Sequence, residues 1–231
     1  MKKHSLSVFV TFQEMRWGIR YLLFQHIFLP VLLSYISMVL PRPLDSHAIN
    51  FLYYCVNFGA AVLIFRGFLL RSFRRAVENV GRTALFTLLG FALYWAFNAG
   101  MTWIITRLVP DFVNINDQTV ASMLRQWYGP MAFATVVLVP LAEECMYRGV
   151  FFSGLYRKSP AAAYLVSTVL FCCIHVSNYV GTVSPEMLAL CFVQYIPAGL
   201  ILAWAYEGAD TIAAPIAIHM LINALGVIMM R

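Results

Sequence analysis

Charged residues are scarce in this sequence, and their scarcity excludes a soluble globular domain. Only 11% of the 231 residues are charged, whereas 61% are apolar. Soluble domains carry about 25% charged and about 45–50% apolar residues. The mean hydropathy of +0.77 agrees with this contrast. The composition therefore indicates an integral membrane protein.

A disulfide framework and a nucleic-acid surface are also lacking. Cysteine-stapled domains carry an even number of cysteines, but this chain has five, all in apolar segments: Cys55, Cys145, Cys172, Cys173 and Cys191. We interpret them as small residues of the membrane core. The lysines and arginines behind the net charge of +6 are scattered at segment ends. That distribution fits an anionic membrane face, so we expect the lipid bilayer as a partner and no nucleic acid.

Long apolar runs, by contrast, are abundant. A spanning helix needs about 20 mostly apolar residues, and seven segments qualify: 18–40, 50–70, 83–107, 127–149, 160–178, 186–206 and 211–230. No internal repeat and no long linker divides the chain. We therefore predict an all-α fold, a polytopic membrane helix bundle of about seven (six to eight) transmembrane helices that forms one domain over residues 1–231.

The basic residues are divided unevenly between the two sides of this bundle. With the N-terminus inside, eleven fall on the cytoplasmic side: Lys2, Lys3, Arg16, Arg20, Arg66, Arg71, Arg74, Arg75, Arg82, Arg157 and Lys158. Four fall outside: Arg42, Arg107, Arg125 and Arg231. Cytoplasmic loops carry the excess of Lys and Arg. We therefore predict a multi-pass protein of the plasma (inner) membrane with a cytoplasmic N-terminus.

Two of the ten acidic residues, Glu143 and Glu144, fall inside a predicted span, and the other eight fall in loops or at segment edges. A carboxylate near the bilayer centre is costly and usually marks a functional site. If the fourth span ended early, the pair would only mark its cytoplasmic end. Residues four apart share a helix face, so we expect Arg148 to neutralise Glu144. Glu143 then points elsewhere and stays free to exchange a proton.

Two later spans add further polar side chains. FCCIHVSN places His175 four residues after Phe171, and APIAIHMLINALG places His219 and Asn223 four residues apart on one helix face. Such groups can serve only as hydrogen bonds between helices. Together with Glu143, however, they can hydrolyse a peptide bond: Glu143 takes a proton from water and His175 positions that water. His219 and Asn223 can then form an oxyanion hole.

The same residues leave a metal-dependent alternative open. Two histidines and one carboxylate are an accepted catalytic zinc set, which here would be Glu143, His175 and His219. Other protease classes fit poorly, because the sequence has no H-E-x-x-H, no G-x-S-x-G and no intramembrane Asp pair. The residues by themselves therefore predict hydrolysis with or without zinc.

Three stretches resemble, in order, the motifs of the CAAX prenyl-protease and bacteriocin-processing (CPBP, Abi) family, which run E-E-x-x-x-R, F-x-x-x-H and H-x-x-x-N/D. They are EECMYRG (143–149), FCCIH (171–175) and GLILAWAYEGADTIAAPIAIHMLINALG (199–226). The resemblance covers about residues 140–226, within a motif-bearing part of about 127–230. Residues 1–125 match only in being helical and apolar.

The resemblance implies a role for each motif residue. Glu143 looks like the catalytic glutamate that activates water, and His175 like a second residue that positions it. His219 and Asn223 look like the oxyanion pair. Two further residues look like supporting partners: Glu144 and Arg148. Members of this family are regarded as glutamate-dependent intramembrane proteases, which favours no cofactor over zinc.

We therefore predict a CAAX-type intramembrane endopeptidase that cleaves a membrane-associated peptide or protein near its C-terminus or its membrane-proximal part. Eukaryotic members of the family it resembles remove the C-terminal tripeptide of prenylated proteins, whereas bacterial relatives process peptides, serve in bacteriocin self-immunity or act on sorting tags. A non-catalytic immunity or partner-binding protein is the main alternative. A small transporter is disfavoured, because the intramembrane polar residues lie in one half of the chain. Substrate identity and oligomeric state stay open.

Helix lengths create one difficulty for this reading. If the fifth span begins at Pro160, His175 lies about 22 Å from the inner face and His219 about 12 Å, at about 1.5 Å per residue. We therefore expect a later start, or a tilted or re-entrant segment, to bring the two histidines level.

Overall fold

A computed structural model describes residues 6–231, and over these residues the chain forms ten helices and no strand. The first six are α1 (Phe12–Ile27), α2 (Leu29–Val39), α3 (Ser46–Ile64), α4 (Arg66–Glu78), α5 (Val80–Leu108) and α6 (Ile115–Gln126). The last four are α7 (Tyr128–Tyr156), α8 (Pro160–Val176), α9 (Pro185–Ala209) and α10 (Ala213–Met229). The predicted all-α, polytopic fold is confirmed. Lys2 and Lys3, which were counted toward the cytoplasmic side, lie outside the described residues.

Within the described part of the chain, five helices are long and apolar enough to cross a membrane: α3, α5, α7, α8 and α9. Helices α1 and α2 add a sixth if the two form one bent span, and α10 is apolar but has only 17 residues. Each of the seven predicted segments therefore corresponds to helix. Five are long, unbent spans, one is bent, and one is shorter than a full span.

The first predicted span, residues 18–40, is not one continuous helix. It is divided between α1 and α2, whose axes differ by 49°. Pro30 lies in the first turn of α2, where its missing N–H cannot continue the hydrogen bonding of α1 and its ring disfavours an unbroken helix. The apolar composition predicted the length of this segment but not the bend.

Two connections that the sequence suggested were loops are helical. α4 carries most of the arginines that follow α3, and α6 is a 12-residue helix between α5 and α7. The Asn114 side chain begins α6 by accepting hydrogen bonds from the backbone N–H groups of Asn116 and Asp117, which satisfies donors that have no partner within the helix. Ser159 caps α8 in the same way, by accepting from Ala162 N.

Helix α7 carries the E-E motif and is irregular on both sides of it. Residues 134–138 and 145–152 are π-helical, and the α-helical segment between them, Val139–Glu144, ends at the second glutamate. π-Helical turns are rare and occur frequently at functional sites. Both glutamates lie near the middle of this 29-residue helix, so the alternative in which the span ends before them is wrong.

The segments predicted to be cytoplasmic meet at one end of the bundle, here called the arginine-rich end. Asp210, between α9 and α10, accepts hydrogen bonds from Ser7 and from Arg75 of α4. Arg82, in α5, donates to the Gly208 carbonyl. These contacts bring the N-terminal segment, α4 and the α9–α10 connection together, as the alternating topology requires. Which side of the membrane this end faces stays a prediction.

Candidate active site

A buried ion network holds α7, α9 and α10 together behind the candidate site. Arg148 Nη1 donates to Glu144 Oε1 at 3.1 Å, and His219 Nδ1 lies 2.9 Å from the same oxygen. Arg148 Nη2 donates to the Gly199 carbonyl at 3.1 Å. Arg148 and Glu144 are both 0% exposed, so the predicted pairing of these two residues is present in the structure.

The network depends on close approach of α9 to α8. A Cβ atom at Gly199 would lie 2.7 Å from the Thr168 side chain and 3.2 Å from its Cα. Only glycine leaves room for that approach, and it also leaves the Gly199 carbonyl accessible to Arg148. On its other side, the guanidinium lies 4.5 Å from the Phe171 ring centroid, a favourable cation–π distance. Arg148 is therefore fixed by three helices besides its own: α8, α9 and, through Glu144 and His219, α10.

Glu143 stands apart from this network, as the sequence predicted. Its side chain lines a cavity, whereas Glu144 and Arg148 do not. Oε2 of Glu143 is buried and finds no hydrogen-bond partner among the described residues. A buried carboxylate oxygen without a partner is costly, so Glu143 keeps the capacity to accept a further hydrogen bond.

His175 is held by its own helix and by an aromatic neighbour. Its Nδ1 lies 2.8 Å from the Phe171 carbonyl oxygen, and its ring stacks on Tyr195 of α9 with centroids 4.2 Å apart. Because a carbonyl can only accept, we assign the proton to Nδ1. Nε2 then carries the lone pair that can accept a hydrogen bond.

The H-x-x-x-N motif of α10 is also partly engaged. Asn223 Nδ2 donates to the Thr135 carbonyl at 2.8 Å, which leaves one of the two amide protons free. His219 is 5% exposed, and its Nδ1 is engaged by Glu144. His219 therefore keeps Nε2, and Asn223 keeps one amide proton and its Oδ1, for a further partner.

The four predicted catalytic residues line one cavity of about 850 Å³: Glu143, His175, His219 and Asn223. The structure thus brings together side chains from α7, α8 and α10. Helix α8 does begin at Pro160, so the expected later start is wrong. The Phe171 ring lies 4.6 Å from the His175 ring and 5.8 Å from the His219 ring, centroid to centroid. The two histidines therefore belong to one local cluster despite their different distances along their helices.

The rest of the cavity wall combines aliphatic side chains with tyrosines and amides, several of which come from the N-terminal half of the chain. The tyrosines are Tyr53, Tyr54, Tyr94, Tyr147, Tyr179 and Tyr195. The amides besides Asn223 are Gln25, Asn50, Asn57, Asn98, Asn116 and Asn178. Tyr147 lies four residues after Glu143 in α7 and lines the same cavity. The apolar N-terminal helices thus complete the wall of a site whose motifs lie elsewhere.

Asp117 is the main correction to the sequence reading, which placed it in a loop. It lies in α6 and lines the cavity. Tyr195 donates a hydrogen bond to its Oδ1 at 3.4 Å, and enough protein surrounds the carboxyl that desolvation raises its pKa above the ordinary value. A signal was present in the sequence, because Asn114 is a favoured helix N-cap residue and marks the start of α6.

The residues of the zinc alternative do not form a metal site in this arrangement. No group of three or more His, Cys, Asp or Glu side chains within residues 6–231 is placed to hold a metal ion. Glu143, His175 and His219 line the same cavity without forming such a group. We derive no step through a metal.

Fold and site together define a multi-pass helical membrane protein with a cavity between its helices that carries two carboxylates. Residues 125–225 match the family described as type II CAAX prenyl endopeptidase, Rce1-like. The matched part, 101 of the 231 residues, contains all three motifs, and over it the chain is similar to this family of CAAX-type endopeptidases. The predicted resemblance is confirmed. No curated protein and no solved structure gave a match to the chain.

Proposed function

We propose that this protein is a glutamate-dependent endopeptidase that hydrolyses a peptide bond within the membrane, near the C-terminus or the membrane-proximal part of its substrate. One observation carries the proposal. A single cavity is lined by Glu143, His175, His219 and Asn223, and the carboxylate of Glu143 takes no part in the ion network behind it. Hydrolysis requires a base, positioned water and donors for an oxyanion, and the cavity wall carries side chains of the types that these roles need.

In this mechanism Glu143 removes a proton from water while Nε2 of His175 accepts a hydrogen bond from the same water. The resulting hydroxide forms a bond to the carbonyl carbon of the substrate. When the C–N bond breaks, the proton held by Glu143 passes to the amine of the leaving peptide. Glu143 then returns to its ionised state, so atoms and charge balance over one turnover.

The negative oxygen that forms during attack needs hydrogen-bond donors. Asn223 can give its second amide proton, since the first is engaged by the Thr135 carbonyl. His219 can donate from Nε2 only when both ring nitrogens carry protons, and the nearby Glu144 carboxylate compensates the charge of that imidazolium. Arg148 holds the Glu144 carboxylate in place. This gives the two supporting residues a positioning role, with no cofactor required.

The test is cleavage of membrane peptides by the purified protein and by Glu143→Gln, which keeps the size of the side chain but cannot accept the proton. We expect kcat to fall by about 10²–10⁴, the usual contribution of a positioned general base. Glu186→Gln is the matched control, because Glu186 is exposed at the start of α9 and does not line the cavity. Each protein is assayed with and without a strong zinc chelator.

Full activity of Glu143→Gln would contradict the proposal. Loss of wild-type activity on addition of the chelator would favour the zinc-dependent version. If a cellular phenotype such as immunity survives both Glu143→Gln and His175→Ala, a non-catalytic partner-binding protein is the better account.

We further propose a plasma (inner) membrane location with a cytoplasmic N-terminus, from the Lys and Arg distribution alone. In intact cells, a membrane-impermeant thiol reagent should then fail to label an Arg74→Cys variant. Labelling would indicate the opposite orientation.

A further inference from the structure

Apart from its histidines, the charged side chains on the cavity wall are of one sign. Three histidines line the cavity, and the imidazolium proposed at His219 is compensated by Glu144 behind the wall. Among the described residues that line it, two carry carboxylates, Asp117 and Glu143, and none is a lysine or arginine. Arg148 lies behind the wall and is already paired with Glu144. A cleft whose fixed charges are all negative attracts cations and repels anions, more strongly where low-dielectric walls surround it.

Asp117 is the carboxylate of this pair that the proposed hydrolysis does not use. Among the described residues, its side chain accepts one hydrogen bond, from Tyr195 at 3.4 Å, and forms no ion pair. The side chain is accessible within the cavity, but the surrounding protein desolvates it and raises its pKa. A desolvated carboxylate with one long hydrogen bond gains from a cationic partner.

Asp117 lies close to the position proposed for the cleaved bond. Tyr195 donates to Asp117 with its hydroxyl and stacks its ring on His175 at 4.2 Å, so one tyrosine side chain separates the carboxylate from the water-positioning histidine. An extended peptide advances about 3.3 Å per residue, so that separation corresponds to about two or three residues. Tyr94 and Tyr179 line the same cavity and add ring faces that favour a cation.

We propose that Asp117 is a specificity-determining residue that selects a lysine or arginine within about three residues of the cleaved bond. The position of that bond rests on the proposed function, whereas the charge preference of the cavity does not. The substrate segment therefore carries a cationic side chain near the cleaved bond.

The test begins with a degenerate peptide library in detergent micelles, from which a peptide cleaved by the wild-type protein is identified by mass spectrometry. Versions with Lys, Ala or Glu at each position flanking the cut are then compared. We expect kcat/KM for the best Lys version to exceed that for Ala by about tenfold, equivalent to about 1.4 kcal/mol. Asp117→Asn should bring this ratio to about one, and Asp117→Lys should favour the Glu version.

Asp111→Asn is the matched control, because Asp111 is exposed just before α6 and does not line the cavity. It should keep the wild-type ratio. A wild-type protein without Lys preference, or a preference retained in Asp117→Asn, would overturn the proposal and assign Asp117 to the stability of the α6 N-terminus.

A binding measurement separates this inference from the proposed hydrolysis. Glu143→Gln protein is titrated with short apolar peptides that carry one central Lys or one central Glu, with and without the Asp117→Asn change. Tighter binding of the Lys peptide that depends on Asp117 supports the inference even if no peptide is cleaved. Equal binding of the two peptides contradicts it even if cleavage depends on Glu143.

Discussion

The buried carboxylates at the arginine-rich end accept several hydrogen bonds each, whereas those in the cavity accept few. At the arginine-rich end, Asp210 accepts from the Ser7 and Val8 backbone, the Ser7 hydroxyl and Arg75. Glu14 nearby accepts from the N–H groups of Thr11 and Phe68 and from Arg71. In the cavity, Glu143 leaves one buried oxygen without a partner among the described residues, and Asp117 accepts one long hydrogen bond.

This difference separates structural from reactive charge. Full sets of donors stabilise a buried carboxylate as an ion and fix its geometry, so it contributes to folding and has no capacity left for chemistry. Burial of a carboxylate without its full set of hydrogen-bond donors destabilises the folded state. That cost is retained where the group must bind water or substrate. We expect substitutions at the arginine-rich end to change stability and those in the cavity to change function.

The largest expected effect is on the network that separates the two regions. Arg148→Ala removes the partner of a fully buried Glu144 and a donor to the Gly199 carbonyl. Removal of one member of a buried ion pair typically costs about 3–5 kcal/mol. We expect a loss of that size in the free energy of unfolding, measured in mixed micelles. Arg148→Lys is the control and should retain part of the stability, because it keeps the charge but not the two-nitrogen geometry; equal stability of Arg148→Ala and the wild type would contradict this account.

A smaller effect is expected at Asp210, which tests the structural side of the comparison. Asp210→Ala removes an acceptor of four hydrogen bonds and places alanine at a φ of 56°, where a non-glycine residue is strained. We expect a loss of about 2–3 kcal/mol in the free energy of unfolding, with peptide cleavage per folded molecule unchanged. Asp210→Asn should lose less, because asparagine tolerates the left-handed conformation.

Glu143→Gln provides the matched comparison within the cavity. Its free energy of unfolding should stay within about 1 kcal/mol of the wild type, because the removed charge has few partners to lose. A loss comparable with that of Asp210→Ala would show that the contrast between the two regions is wrong.

The smallest effect concerns the pH dependence of stability at Asp117. Desolvation raises the pKa of this carboxyl above its ordinary value of 3.8. A raised pKa means that the folded state binds the proton more tightly, so the protonated form stabilises the fold and that stability is lost as pH rises through the folded-state pKa. Asp117→Asn should therefore be more thermostable than the wild type at neutral pH, and the gap in Tm should close as pH falls below 3.8. A gap that widens in acid would reverse the assigned sign.

Local spacing in the sequence predicted much of the candidate site. Glu144 and Arg148 are four apart on a helix and do pair, and His219 and Asn223 line one cavity from one helix face. The engagement of His219 by Glu144 was not predicted, because it joins positions 75 residues apart. No periodic pattern within a single helix contains such a contact.

Two parts of the fold were not predicted from the sequence, for other reasons. The bend between α1 and α2 arises at Pro30, but proline also occurs in helices without breaking a span, as Pro197 does within α9. Helix α6 is short, and its Asp117 counted as a loop residue because the polar content of that stretch resembled a connection. In both cases the packing of the surrounding helices determined the outcome.

The sequence by itself determined the membrane class, the helical fold and the identity of the motif residues, because these follow from composition and from spacing within single helices. Only the tertiary structure decided which polar groups meet. It paired His219 with Glu144, left Glu143 facing the cavity and brought Asp117 from α6 to the same wall. The physical reason is that hydrogen bonding and desolvation depend on distances between helices, and the packing of side chains across the whole bundle sets those distances.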